Sequence, residues 1–337
     1  MAAAFCNIVE LMQKNITRID VALSRVAPVE DLFIIIRAVR NWPDLVLFRF
    51  GLKKEVSVRF RTGKGIRIRD KEEFFRFMHE SKDWALELAR QSKETMRIRR
   101  RKIEISALGR HYSFYYDSPA DLGNIAGLLI EQFLWQEYSW LDVKGRYVVD
   151  VGACIADSAF YFVAKGAKHV LAIEPVPVSY RAALRNIRLN RLGDKITLVN
   201  AAVSDRRGGI RIRSPGKVKS IINIDEVRSD SGARVEVLTL GDLVGEYGIR
   251  NGLLKIDTEG YEYKIILGSS NDTLRHFSRI EIEYHNGYLN LERKLREAGF
   301  RVRHTVPKYS GYDNIHNPDM CVGLLMASRI GPGGSMV

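Results

Sequence analysis

Residues 147–157, YVVDVGACIAD, decide the fold. The β-branched run at 147–151 predicts a buried strand, Gly152 predicts a tight turn, and the residues after Ala156 continue as a helix. In doubly wound α/β folds the first such turn lies at the carboxyl ends of the strands, beneath the ligand. We therefore predict a doubly wound sheet with a ligand site at this turn.

Downstream of this stretch, apolar runs of strand length alternate with longer amphipathic segments. That alternation is typical of a parallel sheet covered by helices. We place strands at 147–151, 169–174, 196–201, 253–257, 280–284, 300–304 and 321–326, and helices at 157–165, 178–192, 261–269 and 289–298. Residues 209–240 indicate an inserted β-region with short strands at 210–213, 221–224 and 235–239. The predicted fold class is α/β, with a doubly wound, mostly parallel, seven-stranded Rossmann-like sheet.

The first 142 residues have a different pattern, which predicts an α+β accessory domain. Helical periodicity covers 5–26, 29–40, 71–92 and about 125–138. Alternating residues at 56–60 and 65–69 flank a Thr-Gly-Lys-Gly turn and indicate a hairpin, and residues 97–106 alternate again. We expect an accessory region at 1–142, the sheet domain at 143–329 and a disordered tail at 330–337.

The composition is that of an ordinary globular protein, because 46% of the 337 residues are hydrophobic and 28% are charged. No apolar run approaches the roughly 18 residues of a membrane-spanning helix. The N-terminus lacks the basic start of a secretory signal, so we expect a cytoplasmic protein. Cys6, Cys154 and Cys321 lie far apart, which excludes a disulfide framework and a cysteine-built zinc site.

The turn after the first strand favours a nucleoside ligand without phosphates. A dinucleotide fingerprint needs glycine where Cys154 stands, and the GKS or GKT of a P-loop is missing. Glu174 lies 22 positions after Gly152, at about the spacing where a carboxylate meets ribose hydroxyls. The polar loop at 200–205 suits an adenine edge. The predicted cofactor-binding residues are Asp150, Gly152, Ala153, Cys154, Asp157, Glu174, Asn200 and Ala201.

Three of these segments and a fourth motif together resemble the FkbM family of class I S-adenosylmethionine-dependent methyltransferases. They are residues 150–156, the triplet IEP at 173–175, AAVSD at 201–205 and, above all, LKIDTEGYE at 254–262. The resemblance covers about 143–328, and the N-terminal region is similar to extensions on some archaeal members. The family's usual DVGANIG reads DVGACIA here, with Cys154 for Asn and Ala156 for Gly. The resemblance implies a Rossmann-like methyltransferase sheet, S-adenosylmethionine as cofactor, and O-methylation of a hydroxyl on a sugar, glycan or other small metabolite.

The candidate catalytic residues follow two neighbouring strands. Methyl transfer to a hydroxyl is an in-line displacement that needs the acceptor oxygen close by and its proton removed. We rank Asp257 first for this role and Glu259 second. His285 reaches the same edge, and its unperturbed pKa near 6.5 suits a general base. Two alternatives stay open. The carboxylates can be structural and pair with Lys255, or the three residues can bind a divalent cation. No tight ligand spacing supports the cation, so we predict no metal-binding residue.

The net charge of +13 is concentrated in residues 51–102, which hold 17 basic and 8 acidic side chains. Such a segment is either a solvated charged face or a binding surface for an acidic partner. The expected partner is a small-molecule or glycan acceptor. A second hypothesis is an RNA ribose 2′-O-methyltransferase that uses this basic region, and a third is a protein without enzymatic activity.

Overall fold

The computed structural model describes residues 35–61, 63–75, 77, 83–91, 95–213, 228–307 and 321–330. Strands β1 and β2 form a hairpin, and β3, β4 and β5 form a three-stranded antiparallel sheet. The helices predicted at 5–26 and over 29–34 lie outside the described residues. The N-terminal elements are α1 (Trp42–Arg49), β1 (Val56–Arg59), β2 (Gly65–Ile68), α2 (Lys71–Phe75), α3 (Asp83–Gln91), β3 (Met96–Arg99), β4 (Lys102–Ala107), β5 (Arg110–Tyr115) and α4 (Leu122–Phe133).

Two N-terminal predictions differ in outcome. The hairpin predicted at 56–69 is confirmed, with Val56 opposite Ile68 and Arg59 opposite Gly65. The alternating segment at 97–106 forms two strands, because the chain turns back at Arg101, whose φ is +62°. The alternation of residues continues on both sides of this turn, so the period alone does not reveal it.

The second half of the chain builds a large sheet and a small one. Its elements are β6 (Tyr147–Val151), α5 (Asp157–Ala164), β7 (His169–Ile173), α6 (Pro177–Leu189), β8 (Ile196–Val199), β9 (Ala201–Ser204), β10 (Gly208–Ile212), β11 (Ala233–Thr239), α7 (Leu240–Glu246), β12 (Gly252–Ile256), α8 (Glu262–Gly268), α9 (Asn271–Arg275), β13 (Phe277–Tyr284), α10 (Leu289–Glu297), β14 (Phe300–His304) and β15 (Gly323–Arg329). The large sheet has the order β8-β7-β6-β12-β13-β15-β14, with β15 antiparallel to its neighbours and the other pairs parallel. The predicted doubly wound, mostly parallel, seven-stranded sheet is confirmed.

The chain leaves the large sheet at Asn200. The one strand predicted at 196–201 is therefore divided between β8 and β9, and β9 belongs to a separate sheet of order β10-β11-β9. The Asn200 Nδ2 donates to the carbonyl oxygens of Glu174 (2.8 Å) and Pro175 (3.2 Å), which fixes the break against the end of β7. The strands predicted at 210–213 and 235–239 correspond to β10 and β11, and 221–224 lies outside the described residues.

Helices cover both faces of the large sheet, as the doubly wound prediction requires. Helices α5 and α6 lie on one face. They belong to a single apolar core whose members are drawn from the range between Ile35 and Leu253. Helices α7, α8, α9 and α10 contribute to a second core on the other face. The first core includes the N-terminal elements, so the N-terminal region packs directly on the sheet. None of the helices in the described ranges is both long and apolar enough to cross a membrane.

Polar contacts join the N-terminal sheet to the large one. The Asn190 side chain accepts from Ser113 N at 2.8 Å and donates to Ser113 O at 2.7 Å. The Asn186 side chain accepts from Tyr115 N at 2.9 Å and donates to Ile155 O at 3.2 Å. Asn186 in α6 and Asn190 at its C-terminal cap thus satisfy three backbone groups of β5, and the three-stranded sheet is held beside the first turn of the large sheet.

Candidate active site

The turn after β6 lies directly against the turn after β12. Gly152 has φ +85°, and a Cβ built there would lie 1.8 Å from the Asp257 carbonyl oxygen. Gly152 N and Ala153 N both donate to Ile173 O at 3.0 Å, and Asp257 N donates to Val151 O at 3.0 Å. Only glycine fits a position with this φ and this contact. Gly152 therefore allows the turns after β6 and β12 to pack against each other.

Two further residues of this turn adopt left-handed backbone conformations without being glycine. Cys154 has φ +46° and Ala156 has φ +68°. These are the positions where the family motif has Asn and Gly, the two residue types that tolerate this conformation best. Burial raises the pKa of the Cys154 thiol, so it is a neutral group rather than a nucleophile.

Glu174 ends β7 with its carboxylate turned toward the first turn. Its Oε2 accepts from Cys154 N at 2.8 Å and its Oε1 from Val176 N at 2.7 Å. Burial raises the pKa of Glu174 to about 8, against the two backbone hydrogen bonds, which lower it. The structure thus brings Glu174, Gly152, Ala153 and Cys154 together. Ala201 is buried in the second core, away from this carboxylate.

Lys255 occupies the buried centre of the sheet edge. Its Nζ lies 3.1 Å from Asp150 Oδ1 and 3.8 Å from Asp257 Oδ2, and it donates to Gly152 O at 2.9 Å. Asp150 also accepts from the Ser158 hydroxyl at 2.6 Å. Burial alone would lower the pKa of Lys255, but Asp150 and Asp257 raise it, so it is a fixed cation. Asp150 is fully buried. Its Oδ1 lies in the ion pair with Lys255 and has no hydrogen bond within the described ranges.

Asp157 is the first residue of α5. It is buried, and burial raises its pKa to about 7. The charge of Lys255 lowers the pKa and that of Asp150 raises it. The structure therefore pairs Asp150 with the lysine, buries Asp157 at the start of α5 within range of the lysine charge, and places Glu174 against the turn.

Asp257, Glu259 and His285 meet at the carboxyl ends of β12 and β13. Each offers one ligand atom, and these atoms lie within 4.8 Å of one another. The His285 Nε2 lies 3.1 Å from Glu259 Oε2, and the Tyr138 hydroxyl donates to Asp257 Oδ2 at 3.3 Å. The structure thus groups the three residues predicted as catalytic, and adds Tyr138 from the segment that precedes β6.

The environment of His285 differs from the one expected. Burial lowers its pKa, but Glu259 on one side and Glu262 on the other raise it well above the usual value. At neutral pH His285 is therefore an imidazolium that holds two carboxylates, and it has no lone pair with which to accept a proton. The prediction of a pKa suited to a general base is wrong, because the sequence does not show that two carboxylates flank the ring.

Glu262, like Tyr138, is a site residue that was not predicted from the sequence. It is fully buried; its Oε1 accepts from His285 N at 2.8 Å and lies 3.2 Å from His285 Nδ1, and its Oε2 accepts from Gly260 N at 2.9 Å. Burial raises the pKa of Glu262, but the charge of His285 more than offsets this, so the pKa is lowered. The sequence feature that could have identified Glu262 is its place as the second glutamate of the motif at 254–262.

Two glutamates of β13 extend the acidic character of this face. Burial and then Asp257 raise the pKa of Glu283. Glu281 is 1% exposed, and neither of its carboxylate oxygens has a hydrogen-bond partner among the described residues. Burial raises its pKa to about 8. The space beside Asp257 is therefore lined by carboxylates, whereas the basic excess of the chain lies elsewhere.

Two shallow cavities of about 290 and 380 Å³ lie away from this edge. Arg250, Asp272 and His276 line both of them. They contain none of the carboxylates described above, so size alone does not identify the site.

Residues 150–302 match the family model of the methyltransferase FkbM domain. The match begins at Asp150 and includes Glu174, Asp257, Glu262 and His285. The predicted resemblance to FkbM methyltransferases is thus confirmed for this segment, which is a little under half of the chain. The archaeal type and the N-terminal extension stay predictions. Among curated proteins, none matches the chain significantly.

Several solved structures are similar to the FkbM domain and its surroundings at low identity. They include M. capricolum TrmK in complex with S-adenosyl-homocysteine (13% identity, 58% of this chain and 68% of that chain, TM-score 0.39). M. jannaschii tRNA m1G37 methyltransferase has 14% identity over 69% of this chain and 58% of that chain, with a TM-score of 0.37. M. jannaschii TYW2 in complex with AdoMet has 15% identity over 69% of this chain and 89% of that chain, with a TM-score of 0.35.

Proposed function

We propose that this protein is an S-adenosylmethionine-dependent O-methyltransferase that acts on a hydroxyl of a sugar, a glycan or another small metabolite. One observation carries the proposal: the Glu174 carboxylate lies beside the Gly152 turn at the carboxyl edge of the sheet, within the segment that matches the FkbM domain. The family match supports methyl transfer, the resemblance to FkbM proteins suggests the hydroxyl acceptor, and the carboxylates beside Asp257 are compatible with an uncharged one.

The residues present fit the adenosyl part of this cofactor. Each Glu174 oxygen accepts one backbone N–H, so each retains a lone pair for one of the two hydroxyls of a ribose. A side chain at 152 would fill the close approach between the two turns, and glycine keeps it open. When bound, S-adenosylmethionine supplies an electrophilic methyl group on a sulfonium cation, whose charge suits an edge rich in carboxylates.

Asp257 is the residue we assign to the acceptor hydroxyl. Its Oδ2 accepts from Tyr138 and lies near Lys255, which orients the carboxylate and leaves Oδ1 to take the proton. Glu259, fixed by the imidazolium of His285, would position the same hydroxyl through a hydrogen bond. A surface lined by Asp257, Glu259 and Glu283 favours neutral or cationic acceptors over phosphates. We assign residues 1–142 to acceptor selection.

Calorimetric titration with S-adenosylmethionine tests the cofactor assignment. We expect micromolar binding by the native protein, a loss of at least tenfold in Glu174→Ala, and no change in Glu236→Ala, an exposed glutamate of β11. Equal binding by all three proteins would refute the role of Glu174. Asp257→Asn should keep cofactor binding and lose turnover, and undiminished turnover in that variant would refute its role as base.

The RNA hypothesis retains one specific observation in its favour. The Arg185 guanidinium stacks 4.3 Å from the ring centroid of Tyr115, and Arg101 donates to the Tyr115 hydroxyl at 3.1 Å. Arg181 and Arg188 are exposed on the same helix. Filter binding of RNA over a salt series distinguishes the two hypotheses, because phosphate contacts predict a steep loss of affinity with salt. RNA binding that Arg185→Ala weakens at low salt would favour the RNA substrate.

A further inference from the structure

The meeting point of Asp257, Glu259 and His285 has the geometry of a metal-binding site. The three ligand atoms lie within 4.8 Å of one another, on two adjacent turns of the rigid sheet edge. Ligands at about 2.0–2.2 Å from one ion are at most about 4.4 Å apart, so small side-chain movements suffice to close around a cation. The side chains are 26%, 15% and 6% exposed in that order, which leaves the carboxylates accessible to an ion and to an acceptor.

Glu262 provides an observation outside this ligand set. It is buried behind the imidazole, where it contacts Nδ1 and accepts from the backbone of His285 and Gly260. A carboxylate at Nδ1 holds one proton there and leaves Nε2 facing Glu259. A metal ion would displace the second proton of the imidazolium, from Nε2, and take its lone pair. Metal-ligating histidines nearly always have such a partner on the second nitrogen, and it raises the basicity of the ligand atom.

In the part of the chain that the structure describes, the carboxylates around the cluster outnumber the cations that pair with them. Glu259 and Asp257 face Glu283, and Glu262 lies behind His285. Among the described residues, His285 and Lys255 are the cations paired with these carboxylates, and Lys255 is shared with Asp150 and Gly152 O. Buried carboxylates that exceed the available cations are unfavourable unless they are protonated or bind a metal. A divalent cation would restore the balance.

We propose that Asp257, Glu259 and His285 bind one divalent transition-metal ion, with Glu262 as the residue that positions the histidine. One imidazole nitrogen and two carboxylate oxygens suit Mn²⁺, Fe²⁺ or Zn²⁺ better than Ca²⁺, which prefers oxygen ligands alone. An ion held by these three residues would lower the pKa of an acceptor hydroxyl that bound to it. That last role rests on the proposed function, whereas metal binding itself does not.

Titration of the metal-free full-length protein with Mn²⁺ alone, followed by electron paramagnetic resonance, tests the site. We expect one ion per chain and at least a tenfold loss of affinity in Asp257→Asn and in His285→Gln. Asp272→Asn is the control, because this carboxylate is exposed on α9 and should leave affinity unchanged. Absence of a stoichiometric site, or equal affinity in all four proteins, would overturn the proposal.

Glu262→Gln separates positioning from simple stability. Gln carries no charge and has a single acceptor oxygen, so it can keep the hydrogen bond from His285 N but not also the one from Gly260 N. We expect a folded protein with weaker Mn²⁺ binding and an altered nitrogen hyperfine signature from His285. An unchanged signature and affinity would remove Glu262 from the proposal. S-adenosylmethionine binding measured in a chelator keeps the two hypotheses apart: if the cofactor binds and Mn²⁺ does not, the metal site fails alone.

Discussion

At the scale of single residues, the raised pKa of Glu174 predicts how cofactor affinity depends on pH. Its pKa of about 8 means that the carboxyl group is largely protonated at neutral pH, and the carboxylate is the form that accepts from both ribose hydroxyls. We expect S-adenosylmethionine affinity to rise with pH up to about 8 and then to level off. Calorimetry between pH 6.5 and 9 measures this, and Glu174→Gln should flatten the profile. A native profile without slope would contradict it.

The close approach at Gly152 predicts that a side chain there lowers the stability of the protein. Gly152→Ala places a Cβ on the Asp257 carbonyl at a left-handed φ, so the two turns must separate. We expect a loss of about 3–5 kcal/mol in the free energy of unfolding, measured by urea denaturation, and loss of cofactor binding. Gly145→Ala is the matched control, because Gly145 has φ +70° with nothing within 4 Å. It should lose only about 1–2 kcal/mol.

The sequence predicted the identity of most site residues but not their protonation states. Asp257, Glu259 and His285 follow strands whose apolar runs are plain in the sequence, and parallel strands bring their ends together. The raised pKa of His285 depends on Glu259 and on Glu262, and Glu262 comes from the start of α8. Burial and partners of this kind are tertiary properties, and no spacing rule contains them.

At the scale of secondary-structure elements, the start of α5 is strained. Ala156 precedes the helix with φ +68° and is fully buried. Ala156→Gly should stabilise the protein by about 0.5–1 kcal/mol, because the relief of backbone strain exceeds the entropy that glycine adds to the unfolded chain. Thermal and urea unfolding check this. Ala159→Gly, inside the same helix, should destabilise it, and stabilisation by both would show that backbone strain at 156 is not the cause.

Element boundaries were predictable where a strand is apolar throughout. The strands at 147–151 and 300–304 are found with the predicted bounds, whereas 97–106 and 196–201 are each divided. Both divisions occur where one residue changes the direction of the backbone within a continuous pattern of strand-forming residues. Arg101 turns with a positive φ, and Asn200 bonds to the end of β7. Neither residue is a glycine or a proline, so the usual turn signals are missing.

At the scale of the whole molecule, Glu281 couples stability to pH. In the folded protein its pKa is about 8, whereas an unfolded glutamate has about 4.3. Between these values the folded state holds a proton that the unfolded state has lost, so stability falls as pH rises from about 4.3 to 8, by at most about 1.4 kcal/mol per pH unit. Glu281→Gln should be less sensitive. Urea unfolding at pH 5, 6, 7 and 8 tests this, and identical slopes would contradict it.

The packing of the N-terminal region on the sheet was beyond the sequence. Composition and periodicity separate residues 1–142 from the rest, but the apolar core from Ile35 to Leu253 spans that division. The contacts between β5 and α6 join residues 71 and 77 positions apart, and no short-range pattern encodes them.

The amides of Asn186 and Asn190 have a consequence for solubility. They occupy hydrogen-bonding groups along β5 that would otherwise be open to pairing with a strand of another molecule. Replacing both with alanine would expose an aromatic strand edge of the sequence Arg-His-Tyr-Ser-Phe-Tyr. We expect the double variant to self-associate with rising concentration in light scattering while the native protein does not. Two asparagines on one helix thus act as gatekeepers against intermolecular β-sheet growth.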